Sequence, residues 1–478
     1  MNYRMILYVL GWILNFEALF LLPAWVTGLI YQEAAGVSLL AAAGLCLVLG
    51  LLVTHRKPKR VQIYAREGFV IVALSWLVLS FFGALPFVFS GYIPSMVDAM
   101  FETVSGFTTT GASILSDVEA LPKCLLFWRS FTHWIGGMGV LVFVIAILPL
   151  AGGSNMYLMK AESPGPSVKK LVPRVRSTAM TLYVMYLVIT VVEIVLLLAG
   201  GMPVFDALTT AFGTAGTGGF GIKNDSIAGY STYLQVVVTI FMILFGVNFN
   251  LYYLIYKKKW KEIRNCSEVF AYLGIIGISV LLITWNIRGM YQGVGTALKD
   301  AAFQVGSIIT TTGFSTADFD LWPSFSKSIL VLLMFIGACA GSTGGGIKVS
   351  RVVIMLKTVT KELYTFVHPN TVRKIKVEGK QLEHAVLRAT NVFIMAYLAV
   401  FVISVLLISL DNFDMTTNFT AVAATLNNIG PGLAAVGPTA NFVALSGFSK
   451  IVLTFDMLAG RLELFPVLIL FSWRTYKK

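Results

Sequence analysis

The chain has 478 residues, 57% of them hydrophobic and only 12% charged, and carries a net charge of +13 with a mean hydropathy of +0.81. Soluble domains carry roughly 25% charged residues, so this composition excludes a soluble globular protein and places the chain in a membrane. The basic excess is not spread as a nucleic-acid surface, because 28 of the 36 Lys and Arg residues are Arg4 or fall in clusters at 56–66, 160–176, 257–264, 348–388 and 474–478.

In chain order, the first apolar run covers 5–30 and the second 37–53. The first is longer than a signal-peptide core and reads as a retained helix. After a basic loop, one unit recurs four times: a long apolar helix, a short helix ending in a small-residue stretch, and a second long helix. The long helices are expected at 69–89 and 127–151, at 178–199 and 234–256, at 269–287 and 329–354, and at 389–410 and 446–473. The corresponding segments are 1–55 for two N-terminal helices, then repeats at 67–155, 177–264, 268–360 and 385–478. The short helices, with about 12 residues each, cannot span a bilayer that requires about 20. Treating them as re-entrant gives ten crossings and leaves every basic cluster on one side, which the positive-inside rule makes cytoplasmic, with both termini. The expected fold is therefore all-α: ten transmembrane helices and four re-entrant pore helices in pseudo-fourfold helix–pore–helix repeats around a central pore.

The repeated stretches are Thr108-Thr109-Thr110-Gly111, Gly216-Thr217-Gly218-Gly219, Thr310-Thr311-Thr312-Gly313 and Asn427-Asn428-Ile429-Gly430. Asp98, Asp206, Asp300 and Thr417 each stand thirteen residues before the closing glycine. The aspartates suit an N-cap, whose carboxylate accepts from free helix-start amides, and this is favoured over a role in attracting cations to an outer mouth, because the fourth copy carries Thr417, which caps without charge. Non-helical backbone at membrane depth is tolerated only inside protein or around water, and a cation stripped of water gives it a purpose, since rings of carbonyls can replace the hydration shell. Glycine reaches the backbone angles that turn carbonyls to one side. The stretches contain no Asp or Glu, so uncharged coordination points to a monovalent cation.

The run from Gly337 to Lys348, with Gly341, Ser342, Thr343, Gly344, Gly345 and Gly346, interrupts the last helix of the third unit. It lacks the GK[ST] ending and βαβ setting of a phosphate loop; close helix packing and a movable loop that blocks the path remain. Arg461 lies within an apolar run, where a charge is costly and faces water or a partner. It is expected either beneath the stretches, near that loop, or paired with a buried group such as Glu193. His133, in His-Trp-Ile-Gly-Gly-Met-Gly, invites a proton-coupling role, although a lone histidine beside an aromatic is more often structural; the glycines suit close helix contact. Cys46, Cys124, Cys266 and Cys339 are scattered without a CxxC pair, with Cys124 expected on an outer loop, and suggest neither disulfides nor a metal site.

The four repeats, one closing glycine in each, and the run Asn427-Asn-Ile-Gly-Pro-Gly432 make the chain resemble the TrkH/TrkG/KtrB superfamily of potassium-uptake proteins over nearly its full length; the two extra N-terminal helices are more like TrkH and TrkG. The resemblance implies potassium as bound and transported ion, no covalent cofactor and no enzymatic step. It implies filter glycines at Gly111, Gly219, Gly313 and Gly430, and an intramembrane gating loop at the 337–348 run. It also implies a homodimer in the bacterial inner membrane and a cytosolic TrkA-like nucleotide-binding regulatory subunit. The basic loops, 348–388 above all, suit docking of such a subunit or anionic membrane lipids; nucleic acid is not expected. The second and fourth stretches depart from Thr-Thr-Gly, which the resemblance links to modest selectivity over sodium. A secondary cation symporter, coupled to H+ or Na+, with a midplane site at broken helices, and a less selective monovalent cation channel are the alternatives. A membrane enzyme would need clustered His, Asp or Glu that the sequence does not supply.

Overall fold

Apolar runs in a membrane form helices because every backbone N–H and C=O must find a partner within the segment. The computed structural model describes residues 1–58, 63–139, 175–371, 374–377 and 380–475. The N-terminal pair, α1 (Tyr3–Ile30) and α2 (Gly36–Thr54), packs through small residues. A Cβ on Gly50 would lie 2.9 Å from the Gly11 carbonyl, and one on Gly28 would lie 3.1 Å from the Gly36 Cα.

The first repeat has α3 (Ala65–Phe89), α4 (Met96–Phe107) and α5 (Lys123–Gly137). The second has α6 (Val175–Ala199), α7 (Val204–Gly216), α8 (Thr232–Phe245) and α9 (Phe249–Tyr256), and a short α10 (Trp260–Arg264) leads onward. The third has α11 (Ser267–Ile287), α12 (Val294–Ile309), α13 (Ser324–Ile336) and α14 (Val349–Val367). The fourth has α15 (His384–Ile408), α16 (Met415–Leu426), α17 (Gly447–Arg461) and α18 (Phe465–Phe471). A two-stranded hairpin, Lys376–Val377 with Lys380–Gln381, precedes α15.

The long helices are apolar all round, as a span requires, and their two faces divide by packing. On α15, Phe393, Tyr397, Phe401, Val405 and Ile408 are buried, whereas Met395, Leu398, Val402 and Leu406 are exposed apolar side chains on the outer face. The short helices α4, α7, α12 and α16 are almost wholly buried on their Ala, Thr, Ser and Gly residues, so they form the centre of the molecule.

Among the described residues, six single helices are long and apolar enough to cross a membrane: Tyr3–Ile30, Gly36–Thr54, Arg66–Phe89, Ala179–Ala199, Ser267–Met290 and His384–Asp411. The predicted continuous helix at 234–256 is instead two helices bent by 90°. The break is stable because its free backbone groups are met from the third repeat: Cys339 N donates to Gly246 O (3.0 Å), Thr343 Oγ1 to Phe245 O (3.2 Å), and Phe249 N to Gly341 O (3.0 Å). The predicted helix at 446–473 also breaks, after Arg461. Glu463 (φ 55°) and Leu464 (φ 66°) are left-handed, and Pro466, which offers no backbone N–H, opens the next helix. Of the helix expected at 127–151, residues beyond 139 lie outside the described residues, as does most of the 160–176 basic cluster. Cys124, expected on an outer loop, is buried on α5, where its amide donates to Glu33.

Candidate functional site

Each short helix delivers its small-residue stretch to one place, and the four stretches close into a ring. In every copy the second residue is left-handed: Thr109 (φ 55°), Thr217 (57°), Thr311 (58°) and Asn428 (56°). The closing glycine again has positive φ: Gly111 (80°), Gly219 (74°), Gly313 (89°) and Gly430 (101°). A Cβ on each glycine would collide with a backbone carbonyl of the next copy: Gly111 with Gly218 O, Gly219 with Thr312 O, Gly313 with Ile429 O, and Gly430 with Thr110 O. The contacts run first to second, second to third, third to fourth and fourth back to first. Glycine is thus required twice over, by its backbone angle and by the neighbouring carbonyl.

The copies are supported differently from behind. In the first, Asn428 Nδ2 donates to Thr110 Oγ1 (2.9 Å), the Thr110 and Thr108 hydroxyls bond to each other (2.8 Å), and Thr108 Oγ1 donates to Val104 O (2.6 Å). The third repeats this, with Thr312 and Thr310 hydroxyls 2.8 Å apart and Thr310 Oγ1 donating to Gly306 O (2.6 Å). The fourth uses an amide: Asn427 Nδ2 donates to Ala423 O (2.9 Å) and its Oδ1 accepts from Tyr397 Oη (3.0 Å). The second has glycines at both positions and borrows its support from α5.

On one side the four closing glycines line a vestibule together with Ser113, Arg129 and Lys223. Arg129 is held by Glu102 (Nε to Oε1, 2.6 Å), donates to Gly221 O (2.9 Å) and lies over the Phe220 ring. This buried pair, invisible as a motif, joins the first short helix to the chain leaving the second stretch.

On the other side sits the 337–348 run. Gly337, Gly341 and Gly346 have positive φ, as does Lys348 at 80°. Gly345 N donates to Thr311 Oγ1 (2.6 Å); a Cβ on Gly345 would meet Asn427 O at 2.5 Å, and one on Gly344 would meet Thr310 O at 2.9 Å. Ser342 Oγ closes on Cys339 O (2.6 Å) and Lys348 Nζ donates to Gly344 O. The loop is pinned at both ends by one carboxylate oxygen, Glu268 Oε1, which accepts from Ala340 N (2.7 Å) and Ser350 N (3.0 Å). Nothing in the sequence around Glu268 marks this role, because both partners are backbone amides more than seventy residues away.

Arg461 reaches the same place. It is the last residue of α17 rather than mid-helix, because the helix stops there. Its Nη1 donates to Thr343 O (2.7 Å) and Thr109 Oγ1 (3.2 Å), and its Nη2 to Gly137 O (2.9 Å) and Gly136 O (2.5 Å). Arg461 therefore joins the loop, the first stretch and the end of α5. Glu463, two residues on, pairs with Arg351 at the start of α14 (2.6 Å).

The aspartates are not the N-caps expected of them. Ser95 caps α4 by accepting from Asp98 N (3.4 Å), while Pro203 and Gly293 precede α7 and α12. Helix starts are set by the residues that leave the helical φ/ψ region, and those lie three or more positions earlier. Asp98 instead pairs with Lys450 (2.7 Å), Asp206 accepts from Tyr230 Oη (2.8 Å), and Asp300 pairs with Lys299 (3.3 Å). In the fourth copy the cap is Asp414, which accepts from Thr417 N (3.0 Å).

A ring of carbonyls at the C-terminal ends of four helices, uncharged in itself, can take the place of a cation's water shell with the helix dipoles favouring positive charge. Comparisons with known proteins agree with this chemistry. A family model described as a cation transport protein, TrkH, matches residues 39–287 and 286–475. The chain is 38% identical to the Trk system potassium uptake protein TrkH of Salmonella typhimurium, covering 99% of this chain and 100% of that one. It is 34% identical to the TrkG protein of Escherichia coli, with 99% of both covered. The crystal structure of the potassium transporter TrkH from Vibrio parahaemolyticus superimposes with a TM-score of 0.88 at 34% identity over the whole of both chains. The relatives are named as transporters, not enzymes, and on this similarity the chain belongs to the TrkH family of cation transport proteins.

Proposed function

We propose that the chain takes up potassium across the cell membrane through the ring of Thr108–Gly111, Gly216–Gly219, Thr310–Gly313 and Asn427–Gly430, with the 337–348 loop and Arg461 as its gate. The observation that carries this is the closed succession of glycine-to-carbonyl contacts around four copies. A packing motif has no need of four backbone turns of the same hand facing one axis, whereas a carbonyl cage for a monovalent cation does. The loop lies against the third and fourth copies, and the Arg461 guanidinium lies beside the first. A positive charge directly beneath a cation path raises the barrier to passage by ordinary Coulomb repulsion. The ten-span topology with cytoplasmic termini, in a bacterial inner membrane, belongs to the same proposal and rests on the basic clusters. So does a homodimer with a TrkA-like cytosolic nucleotide-binding subunit, supported by relatives named as parts of a Trk system.

The test is rubidium flux into liposomes with sodium as competitor. Gly313→Ser adds a side chain where φ is 89° and the Ile429 carbonyl leaves no room. Rubidium preference is expected to fall about tenfold or more, the scale of one strained or lost coordination interaction; an unchanged ratio in a folded variant overturns the filter.

A further inference from the structure

The second stretch lacks the hydroxyls that brace the first and third, yet its backbone follows the same path. What stands behind it is His133. A Cβ on Gly218 would run into the imidazole Nδ1, Cγ and Cε1, and one on Gly216 would strike the His133 carbonyl. The side chain is fully buried. Its two nitrogens do different work: Nδ1 is 2.7 Å from Gly106 O, and Nε2 is 3.2 Å from Phe220 N. A carbonyl can only accept and an amide N–H can only donate. The ring is therefore the neutral Nδ1–H tautomer, with Nε2 as acceptor. Its plane also lies against the Phe220 ring, with centroids 4.3 Å apart.

These bonds cross the boundary between two quarters. Gly106 lies in the last turn of the first short helix, whereas Phe220 follows the last residue of the second stretch. Around the ring, Asn428 makes a comparable tie from the fourth quarter to Thr110 of the first. Close approach of α5 makes the histidine's position possible: a Cβ on Gly137 would lie 2.6 Å from the Gly216 Cα.

We propose that His133 is a positioning residue for the second stretch, whose imidazole fills the volume and supplies the bracing that the paired threonine hydroxyls provide in the first and third. Gly218 is then glycine for the histidine's sake, and the pair is one unit split between two repeats. This rests on the ring being the selectivity filter.

The decisive experiment is a double-mutant cycle read as the rubidium-to-sodium flux ratio in liposomes. His133→Ala leaves Phe220 N without its acceptor and Gly106 O with the Thr109 amide alone, and the ratio is expected to fall about tenfold. Gly218→Ser puts a side chain into the imidazole, with a fall of similar size. In the double variant the serine occupies the vacated space, and the ratio is expected to recover severalfold over the product of the single effects. His133→Gln, which keeps an amide donor and an acceptor, is expected to stay within about threefold of wild type. Losses that simply multiply, or a His133→Ala ratio equal to wild type, overturn the proposal. If His133→Ala does not fold, 15N NMR of the wild-type imidazoles decides: His133, assigned through His133→Gln, is expected as the neutral Nδ1–H tautomer, and an Nε2–H tautomer or a cation overturns it. Gly313→Ser, run alongside, separates the two failures. If that variant also leaves the ratio unchanged, the filter itself is wrong; if it alone lowers the ratio, only the role of His133 is.

Discussion

The third and fourth repeats both interrupt their closing helix just beneath the ring, and they do so by opposite means. The third inserts a long glycine-rich loop held within its own repeat by Glu268 at both ends and Thr311 in the middle, and from the fourth repeat by Arg461. The fourth uses a two-residue left-handed kink at Glu463 and Leu464, flanked by charges that hold the loop's surroundings. On the proposed gating, the third repeat supplies the part that moves and the fourth supplies a latch on it. Sequence similarity between repeats therefore hides a division of labour, which arises because a glycine-rich segment has low intrinsic order and needs fixed partners.

That division can be broken most severely at Arg461. Arg461→Ala removes charge-assisted bonds to Thr343 and Thr109, and losing about 2 kcal/mol from the closed arrangement raises its open population, and basal flux, about thirtyfold. Unchanged basal cation flux in a folded variant removes the latch role. Glu268→Ala comes next. Two backbone amides lose one acceptor, and about 1.4 kcal/mol corresponds to about a tenfold rise in basal flux. If both variants act on the same closed state, their combination falls short of additivity; strict additivity would separate loop from latch.

A smaller effect is expected from the Arg351–Glu463 pair, which is partly exposed on its acidic side. A cycle of Arg351→Ala and Glu463→Ala is expected to give a coupling of about 1 kcal/mol in flux, and a coupling near zero would detach α14 from the latch. The smallest effect concerns the outer end of the fourth copy. The Thr417 hydroxyl and amide hold the Asp414 carboxyl below the usual carboxylate range. A lowered folded-state value means the stabilisation is present above the ordinary value of about 4 and is lost as pH falls through the lowered one. Asp414→Ala is expected to cost about 1 kcal/mol at pH 7, with its deficit in thermal stability narrowing below about pH 4; a deficit independent of pH would mean that the carboxyl caps equally well when neutral.

The sequence made the ring legible because the copies share spacing and small residues, a signal that survives without any long-range information. The loop was legible for the same local reason, its glycine density. The break in the second repeat was not. Gly246-Val-Asn248 carries a single glycine, and what stabilises the break is the main chain of Cys339 and Gly341 and the hydroxyl of Thr343, almost a hundred positions away. The stop after Arg461 was hidden by an apolar sequence that reads as one span. His133, Glu268 and the Glu102–Arg129 pair were illegible as a group, since most of their partners are main-chain atoms or lie on other elements. The misplaced caps have a simpler cause: Ser95 and Asp414 stand three residues before the positions that spacing singled out.

The bonds between the broken second-repeat helix and the loop bear on how the proposed gate would open. While the loop is in place, Phe245 O, Gly246 O and Phe249 N are satisfied by protein. Once it withdraws, those groups and the loop's own amides lose their partners together, at a depth where hydrocarbon offers none. Water is the one substitute able to bond all of them. If the loop is the gate proposed above, opening is a wetting transition: water entering the freed space carries part of the free energy of the movement, and the same water becomes the medium through which the ion leaves.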